Sequence, residues 1–373
     1  MSYQKLFDAT ICDESVKAWK ASGKKAVGTV CCHTPYEIIY AAGVLPVRLR
    51  ATGCVDASDG EAWMSSFSCS FSRSILQYLI NGTYDLDGIV QADGCMMATK
   101  IFDNWLHVAG KNGKAQFGHM VGAPRICNDL TTGYYKRELV ELAEKLGAWS
   151  GVKVTDAALK DAVCKYNEIR GLIAQVNELR KADKPVITGA EALALMIKFA
   201  DYTPDEYIAL IKEFLADAAN RKPVEPKIRI MLIGSALDNP EFIKVIEEKG
   251  AIVVAEDLCF GTRNFGDKIE LDESDIYGSL AKYYLGRNTC PRDLDNRPDI
   301  HKEIIAKCKA FGVQGLVYQK MQNCECWGGE DYYLDEDLKA IGVPVLKLER
   351  EEHMANAGQL AIRAEAFVEM IDQ

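Results

Sequence analysis

The sequence predicts an α/β protein with two parallel-sheet domains joined by a helical segment. Short apolar runs alternate with helix-periodic stretches, the pattern of strands connected by crossover helices. That pattern occurs twice, on either side of a stretch that is helix-periodic throughout. The length, 373 residues, exceeds one ordinary core and suits two.

The elements follow in order. "KKAVGTVC", "LPVRLRA", "DGIVQAD" and "AQFGHMV" read as four strands with helices between them, an N-terminal α/β domain over 1–150. "ALKDAVCKYNEIRGLIAQVNELRKADKP" and "TPDEYIALIKEFLADAANRKP" place apolar residues at helical spacing. Pro185, Thr203 with Pro204, and Pro223 mark breaks or N-termini there, so 151–225 is a helical connection. "KIRIMLIGS", "AIVVAEDL", "VQGLVYQKM" and "VPVLKLE", interleaved with patterns such as "EIIAKCKAFG", form a second α/β domain over 226–373. Both halves share the order strand, short turn, Pro-x-Glu or Pro-Glu, helix, Gly, strand, a weak internal duplication. Where the first copy has Cys31 and Cys32, the second has Gly234 and Ser235, suited to a tight turn into a helix.

Composition narrows the function. The formal net charge of -10 opposes nucleic-acid binding, which relies on clustered Lys and Arg. The N-terminus has charges throughout, and no segment reaches the length of a membrane span, so the expectation is a soluble cytoplasmic chain. Thirteen cysteines spread over such a chain serve packing, metal binding or catalysis rather than disulfides. A single cysteine is by default a small core hydrophobe.

Position argues against that default for some of them. Ligands in open α/β sheets bind beyond the carboxyl ends of the strands. Cys31 and Cys32 follow the first strand, Cys95 the third, and Cys324 with Cys326 a strand of the second domain. Convergence of these thiols on one site explains the placement better than packing does. No Cys-x2-Cys pair of the kind structural zinc sites use is present, whereas iron-sulfur ligands need not be neighbours in sequence. Spacing alone favours a cluster over zinc. Cys69, at the start of an apolar helix, and Cys290, before a proline in a polar loop, are second-rank ligands. Cys12, Cys54, Cys127, Cys164, Cys259 and Cys308 read as packing or incidental thiols, with Cys54 and Cys259 the least settled. His33 is either a ligand or proton donor, or a hydrogen-bonding residue at a helix start. Thr34, Pro35 and Glu37 read as helix initiation, and "GGEDYYLDEDLK" as a solvated face. Arg48, Arg50 and Arg73, at or near strand ends, are offered as partners for an anionic group. No G-x-x-x-x-G-K-S/T loop and no G-x-G-x-x-G after a strand occurs. Nucleotide energy must therefore come from another protein.

Together "CCHTPYEIIYAAGVLPVRL", "CSFSRSILQYLINGTYDLDGIVQADGC", "AEDLCFGTR", "YYLGRNTCPRD", the Cys324 segment and "GQLAIRAEAFVEMI" resemble the 2-hydroxyacyl-CoA dehydratase family, which includes benzoyl-CoA reductase subunits and double-cubane cluster proteins. The resemblance implies two Rossmann-like domains around a 4Fe-4S cluster, or a fused double-cubane 8Fe-9S cluster, held by thiolates at the inter-domain cleft. It also implies a homo- or heterodimer with a related subunit. A separate ATP-hydrolysing 4Fe-4S activator would deliver an electron of very low potential for reaction of an acyl-CoA or small-molecule substrate. Carried over, Cys31, Cys95 and Cys324 or Cys326 match the family's cluster cysteines. The chain departs from some dehydratase subunits in having Thr34 where they have a cysteine next to the proline. It also adds Cys32, Cys69, Cys290 and a second cysteine near 325. This surplus leans toward the reductase or double-cubane branch. The competing class is a non-catalytic metal protein, an electron carrier or a zinc-stabilised subunit.

Overall fold

The computed structural model describes every residue except 114, 115, 226, 288, 289, 295, 355 and 356. Residue 226, where the sequence divides the connection from the second domain, is thus outside the described residues. All eight strands expected from the sequence are present: β1 Lys25–Thr29, β2 Val44–Arg48, β3 Gly88–Ala92, β4 Phe117–Val121, β5 Ile228–Gly234, β6 Ala251–Asp257, β7 Gly315–Met321 and β8 Val345–Arg350. They form two four-stranded sheets, β2-β1-β3-β4 and β6-β5-β7-β8, with every pairing parallel. The second order repeats the first, strand for strand, as expected of duplicated halves. Pro46 is tolerated because β2 is an edge strand, where a missing N–H costs little. In each sheet the chain leaves the first strand to one side and returns to the other, which opens a crevice beyond the strand ends.

Between the sheets run helices Asp156–Lys181, Gly189–Ile197 and Pro204–Asp217. Thr203 caps the last in a capping box with Glu206, and Pro204 occupies its first turn, as the sequence suggests. Helix Gly189–Ile197 has no sequence-based counterpart. Almost all of its residues are buried, so it lacks the polar face that makes a helix legible. Leu193 and Ile197 join a core that includes Leu45 and Ile89 of the first half and Ile230 and Leu232 of the second. Its Ala192, Leu195 and Met196 pack instead with Tyr166 and Phe214 of the neighbouring helices. The two sheets are thereby tied through one continuous apolar interior.

Gly234 ends β5 at φ +128, and a Cβ there would overlap the Gln319 carbonyl oxygen of β7. Ser235 N–H donates to that oxygen at 3.0 Å, and Gln319 Nε2 donates back to Ser235 O at 2.6 Å. Backbone contact this close permits only glycine. Gly234→Ala should cost more than about 3 kcal/mol, by steric overlap and a disallowed φ. Denaturant midpoints measure it, and a loss below about 1 kcal/mol would contradict this account of the turn.

The acidic run after β7 is only partly a solvated face. Tyr332 and Tyr333 are exposed, but Glu330 and Asp337 of helix Glu330–Ala340 hold His301 of helix Arg297–Ala310, with Asp337 Oδ2 2.6 Å from Nδ1 and Glu330 Oε2 3.5 Å from Nε2. Burial opposes charging of His301, but hydrogen bonds to the two carboxylates outweigh it and raise its pKa. A raised folded-state pKa stabilises fully below the unfolded value of about 6.5 and fades as pH rises through the folded value. Hydrogen exchange should therefore show helix Glu330–Ala340 better protected at pH 6 than at pH 9, and His301→Gln should erase the difference.

Candidate functional site

The strand ends of both sheets meet where the cysteines collect. The Cys31–Cys32 loop leaves β1 under tight control. Gln91 Oε1 of β3 accepts from Val30 N at 3.0 Å and Cys31 N at 3.3 Å. Tyr135 OH donates to His33 O at 3.0 Å, and Arg287 Nη2 to Cys32 O at 2.7 Å. Cys95 follows β3 as the N-cap of helix Met96–Lys111, and Cys69 is the N-cap of helix Ser70–Ile80. Cys324 and Cys326 follow β7, with Cys324 N donating to Met321 O at 3.0 Å.

Ionisation shows which thiols act on one another. Cys31 and Cys32 act on each other most, the interaction with Cys32 pushing Cys31 well up and the interaction with Cys31 pushing Cys32 well down. Cys95 and Cys326 form a second pair across the two halves. The Cys326 bond brings Cys95 down to about 7 against the cost of burial, helped by the N–H groups of its helix start, and pushes Cys326 up. Helix N-termini favour thiolates in this way. Burial, reinforced by the Cys95 charge, pushes Cys69 up to about 12. Burial likewise raises Cys290 to about 12, and Cys32 acts on it too. Cys324 is raised by burial, opposed by a Ser235 hydrogen bond, and feels Cys95. Each of the seven sequence candidates thus interacts with at least one other, and Cys290, which meets both Cys32 and Cys326, links the two pairs.

The structure adds an eighth. Cys259 lies just beyond β6, raised to about 11 by burial, with Arg48, Cys32 and Cys95 acting on it. Its place after a strand end is the signal: the rule that selects Cys31 and Cys95 also selects Cys259, against its reading as a packing thiol. Cys308 does pack in a core, its Sγ 3.8 Å from Met231 Sδ.

Arginines surround these sulfurs. The Arg48 guanidinium interacts with Cys32 and Cys259, Arg263 with Cys290 and Cys259, Arg287 with Cys32, and Arg292 with Cys31 and Cys290. Arg48 is fixed by Asn264 Oδ1 at 2.9 Å and Tyr36 OH at 3.1 Å, and Arg292 by the carbonyls of Asp93, Ala123 and Pro124 at 2.9 to 3.1 Å. Of Arg48, Arg50 and Arg73, the anion partners the sequence suggests, only Arg48 joins the thiols. Arg50 is buried in a two-pronged bond to Asp201 at 2.9 and 2.8 Å, and Arg73 pairs with Glu61 and Glu351. His33 is buried, its Nδ1 3.1 Å from Tyr284 O, which agrees with the hydrogen-bonding reading. Glu37 does more than start a helix: it is fully buried and accepts from Arg170 at 2.6 Å and from Tyr284 OH at 2.8 Å.

Among the described residues, no three Cys, His, Asp or Glu side chains are grouped so as to hold one metal ion. The donor set suits a larger group. Its thiols come from both halves, a cluster takes its thiolates on separate irons, and the buried guanidiniums would offset the charge of an anionic iron-sulfur unit held there.

The architecture is that of an α/β protein with two Rossmann-like domains and a thiol-lined junction between them. The chain belongs to the 2-hydroxyglutaryl-CoA dehydratase, D-component family, which it matches over residues 31–371; relatives in it are named as subunits of 2-hydroxyacyl-CoA dehydratases and of benzoyl-CoA reductase. It is 25% identical over 357 residues to the lactoyl-CoA dehydratase subunit beta of Anaerotignum propionicum, covering 94% of this chain and 92% of the relative. It is 24% identical to a benzoyl-CoA reductase subunit of Thauera aromatica, covering 96% and 94%. With the (R)-2-hydroxyglutaryl-CoA dehydratase subunit beta of Acidaminococcus fermentans the identity is 23%, covering 95% and 94%. Among the described residues no helix is long and apolar enough to cross a membrane.

Proposed function

We propose that the chain is the iron-sulfur subunit of a cytoplasmic, ATP-activator-dependent reductase or dehydratase that acts by one-electron chemistry on acyl-CoA thioesters. The observation that supports this most is the gathering of eight thiols and four arginines at the strand ends of both sheets. Cys31, Cys95 and Cys324 would hold the cluster, and Cys32, Cys69, Cys259, Cys290 and Cys326 are the further thiols for a double cubane. When bound, such a cluster supplies a low-potential electron and a Lewis-acidic iron. The chain's own contribution is to orient and insulate. Gln91, Tyr135 and Arg287 hold the Cys31–Cys32 loop in one geometry. The helix start at Cys95 favours the thiolate, and Arg48, Arg263, Arg287 and Arg292 balance charge that buried sulfur would otherwise carry alone. The relatives' names, each a single subunit of a larger enzyme, support a dimer with a related subunit. The surplus of thiols over the four that one cubane needs favours a second reading, a double-cubane protein reducing small molecules.

No phosphate-binding loop is present in the sequence to couple nucleotide hydrolysis to electron transfer, so a transiently docked ATP-hydrolysing activator must supply the electron. Purified under argon and mixed with reductant, ATP and an activator, the protein should show cluster reduction by electron paramagnetic resonance and turn over acyl-CoA esters. Equal reduction with ADP, or without activator, would return it to the class of ordinary electron carriers. About one zinc per chain and no labile sulfide would make it a zinc-stabilised subunit.

A further inference from the structure

Two buried carboxyls of the second half face the first. Asp238, which follows β5, is fully buried, and its Oδ2 accepts from Ala51 N and from Thr52 N, the latter at 3.1 Å. Its Oδ1 is buried with no hydrogen-bond partner among the described residues. Glu352, which follows β8, is 4% exposed, and its N–H donates to Ser70 Oγ at 2.8 Å. Arg350 Nη1 stands 3.2 Å from Glu352 Oε2, but that guanidinium is shared with Gln319 Oε1 at 2.6 Å and with Ala236 O. Asp238 acts on the Glu352 carboxyl both by its charge and as a side-chain hydrogen-bond partner. The other titratable or charged groups that face the pair are Arg50, held by Asp201, and Cys54, Tyr78 and Tyr84. Burial raises the last three, so they stay uncharged at neutral pH. His353 is next in the chain, its Nδ1 2.7 Å from Cys54 O.

Buried polar atoms are almost always satisfied, and two carboxyls that share a site do not both ionise freely. A proton between them answers both demands. Asp238 already serves two backbone N–H groups as acceptor, so Glu352 is the donor. We propose that protonated Glu352 donates to Asp238 Oδ1 and so latches the second half to the first, and that the latch opens when this proton is lost to mildly alkaline solvent. Burial, with the Asp238 charge added, holds the Glu352 carboxyl up to about 8 against the pull of Arg350. The ordinary value is about 4.3, so between the two the closed form keeps a proton that an opened form gives up. The latch is therefore worth most below that ordinary value and weakens about tenfold per pH unit as pH rises toward the folded value, because one proton is released on opening. The pair stands apart from the iron-sulfur reading and does not depend on it.

Hydrogen exchange of the purified full-length protein tests the latch, read at the amides of Ala51, Thr52 and Glu352 and corrected for the intrinsic rate. Protection there should fall about a hundredfold from pH 6 to pH 8 and level off above. Infrared difference spectra test the proton: the carbonyl band of a protonated carboxyl should fade with its midpoint near 8. Glu352→Gln keeps a donor toward Asp238 Oδ1 at every pH, so its protection should stay flat and the fading band should be absent. Asp238→Asn, whose amide donates to an ionised Glu352, should be flat as well, and serves where the glutamine variant does not fold. His353→Gln should keep the wild-type slope, which separates the pair from the neighbouring histidine. The proposal is overturned by a flat wild-type profile, by a slope retained in Glu352→Gln or Asp238→Asn, by a slope lost in His353→Gln, or by the absence of a fading carboxyl band in the wild type.

Discussion

Replacing Cys31, Cys95 or Cys324 by serine should lower iron content sharply and erase the sulfur-to-iron charge-transfer absorption of the anaerobically purified protein. Serine keeps the size of the side chain and removes the soft thiolate that iron-sulfur clusters require, so the loss reports ligation rather than packing. Cys308→Ser is the control. That thiol lies in a separate apolar core and should leave iron unchanged while costing a little stability. The remaining thiols divide single from double cubane. With a double cubane, serine at Cys32, Cys69, Cys259, Cys290 or Cys326 should take iron from about eight toward about four per chain, following the ligand need of each cubane. Iron near four in the parent protein, unmoved by all five replacements, would leave the single-cubane reading. Full iron in any two of the Cys31, Cys95 and Cys324 variants would refute the ligand assignment.

Glu37→Ala should be strongly destabilising. It strips the carboxylate from a fully buried ion pair, leaving Arg170, 4% exposed, charged and unpaired in the interior. Losing one partner of such a pair typically costs about 3–5 kcal/mol. Arg170 keeps bonds to Phe265 O at 3.1 Å and Tyr283 OH at 2.9 Å, which solvate it partly, so the lower end of that range is the expectation. Tyr284 OH loses its acceptor as well. The pair joins the helix that follows the Cys31–Cys32 loop to the helical connection and to helix Ile276–Gly286, three parts of the chain that meet nowhere in the sequence. Removing both charges with Glu37→Met and Arg170→Met should recover most of the loss, because the uncompensated charge, not the missing attraction, carries the penalty. Denaturant midpoints of the two singles and the double measure this. A double variant no more stable than Glu37→Ala would show that the cost lies in packing instead.

Much of the molecule is legible because strands and amphipathic helices write their periodicity into a chain. "GIVQAD" and "KIRIMLIG" are apolar for the length of one strand and bounded by turn residues, which is all that a buried parallel strand requires. The rule that ligands sit beyond strand ends then selects Cys31, Cys95 and Cys324 with no contact known. Helix Gly189–Ile197 is not legible, because a helix buried on all sides carries no period. Cys259 falls within the strand-end rule, but a default that treats lone cysteines as packing hides it.

Neighbours along the chain are enough to specify eight strands, the capped helices, the acidic charge, and thiols placed at one end of each sheet. Folding settles the rest, because it depends on groups far apart in the chain that meet in low dielectric. Arg50 meets Asp201 151 residues away and is taken up in a buried ion pair, and Glu37 meets Arg170 133 residues away and so becomes a joint of the fold. Cys95 is brought down by Cys326 from the other half. A side chain's charge, and whether it is satisfied, are set by what surrounds it after folding, and no local pattern records that.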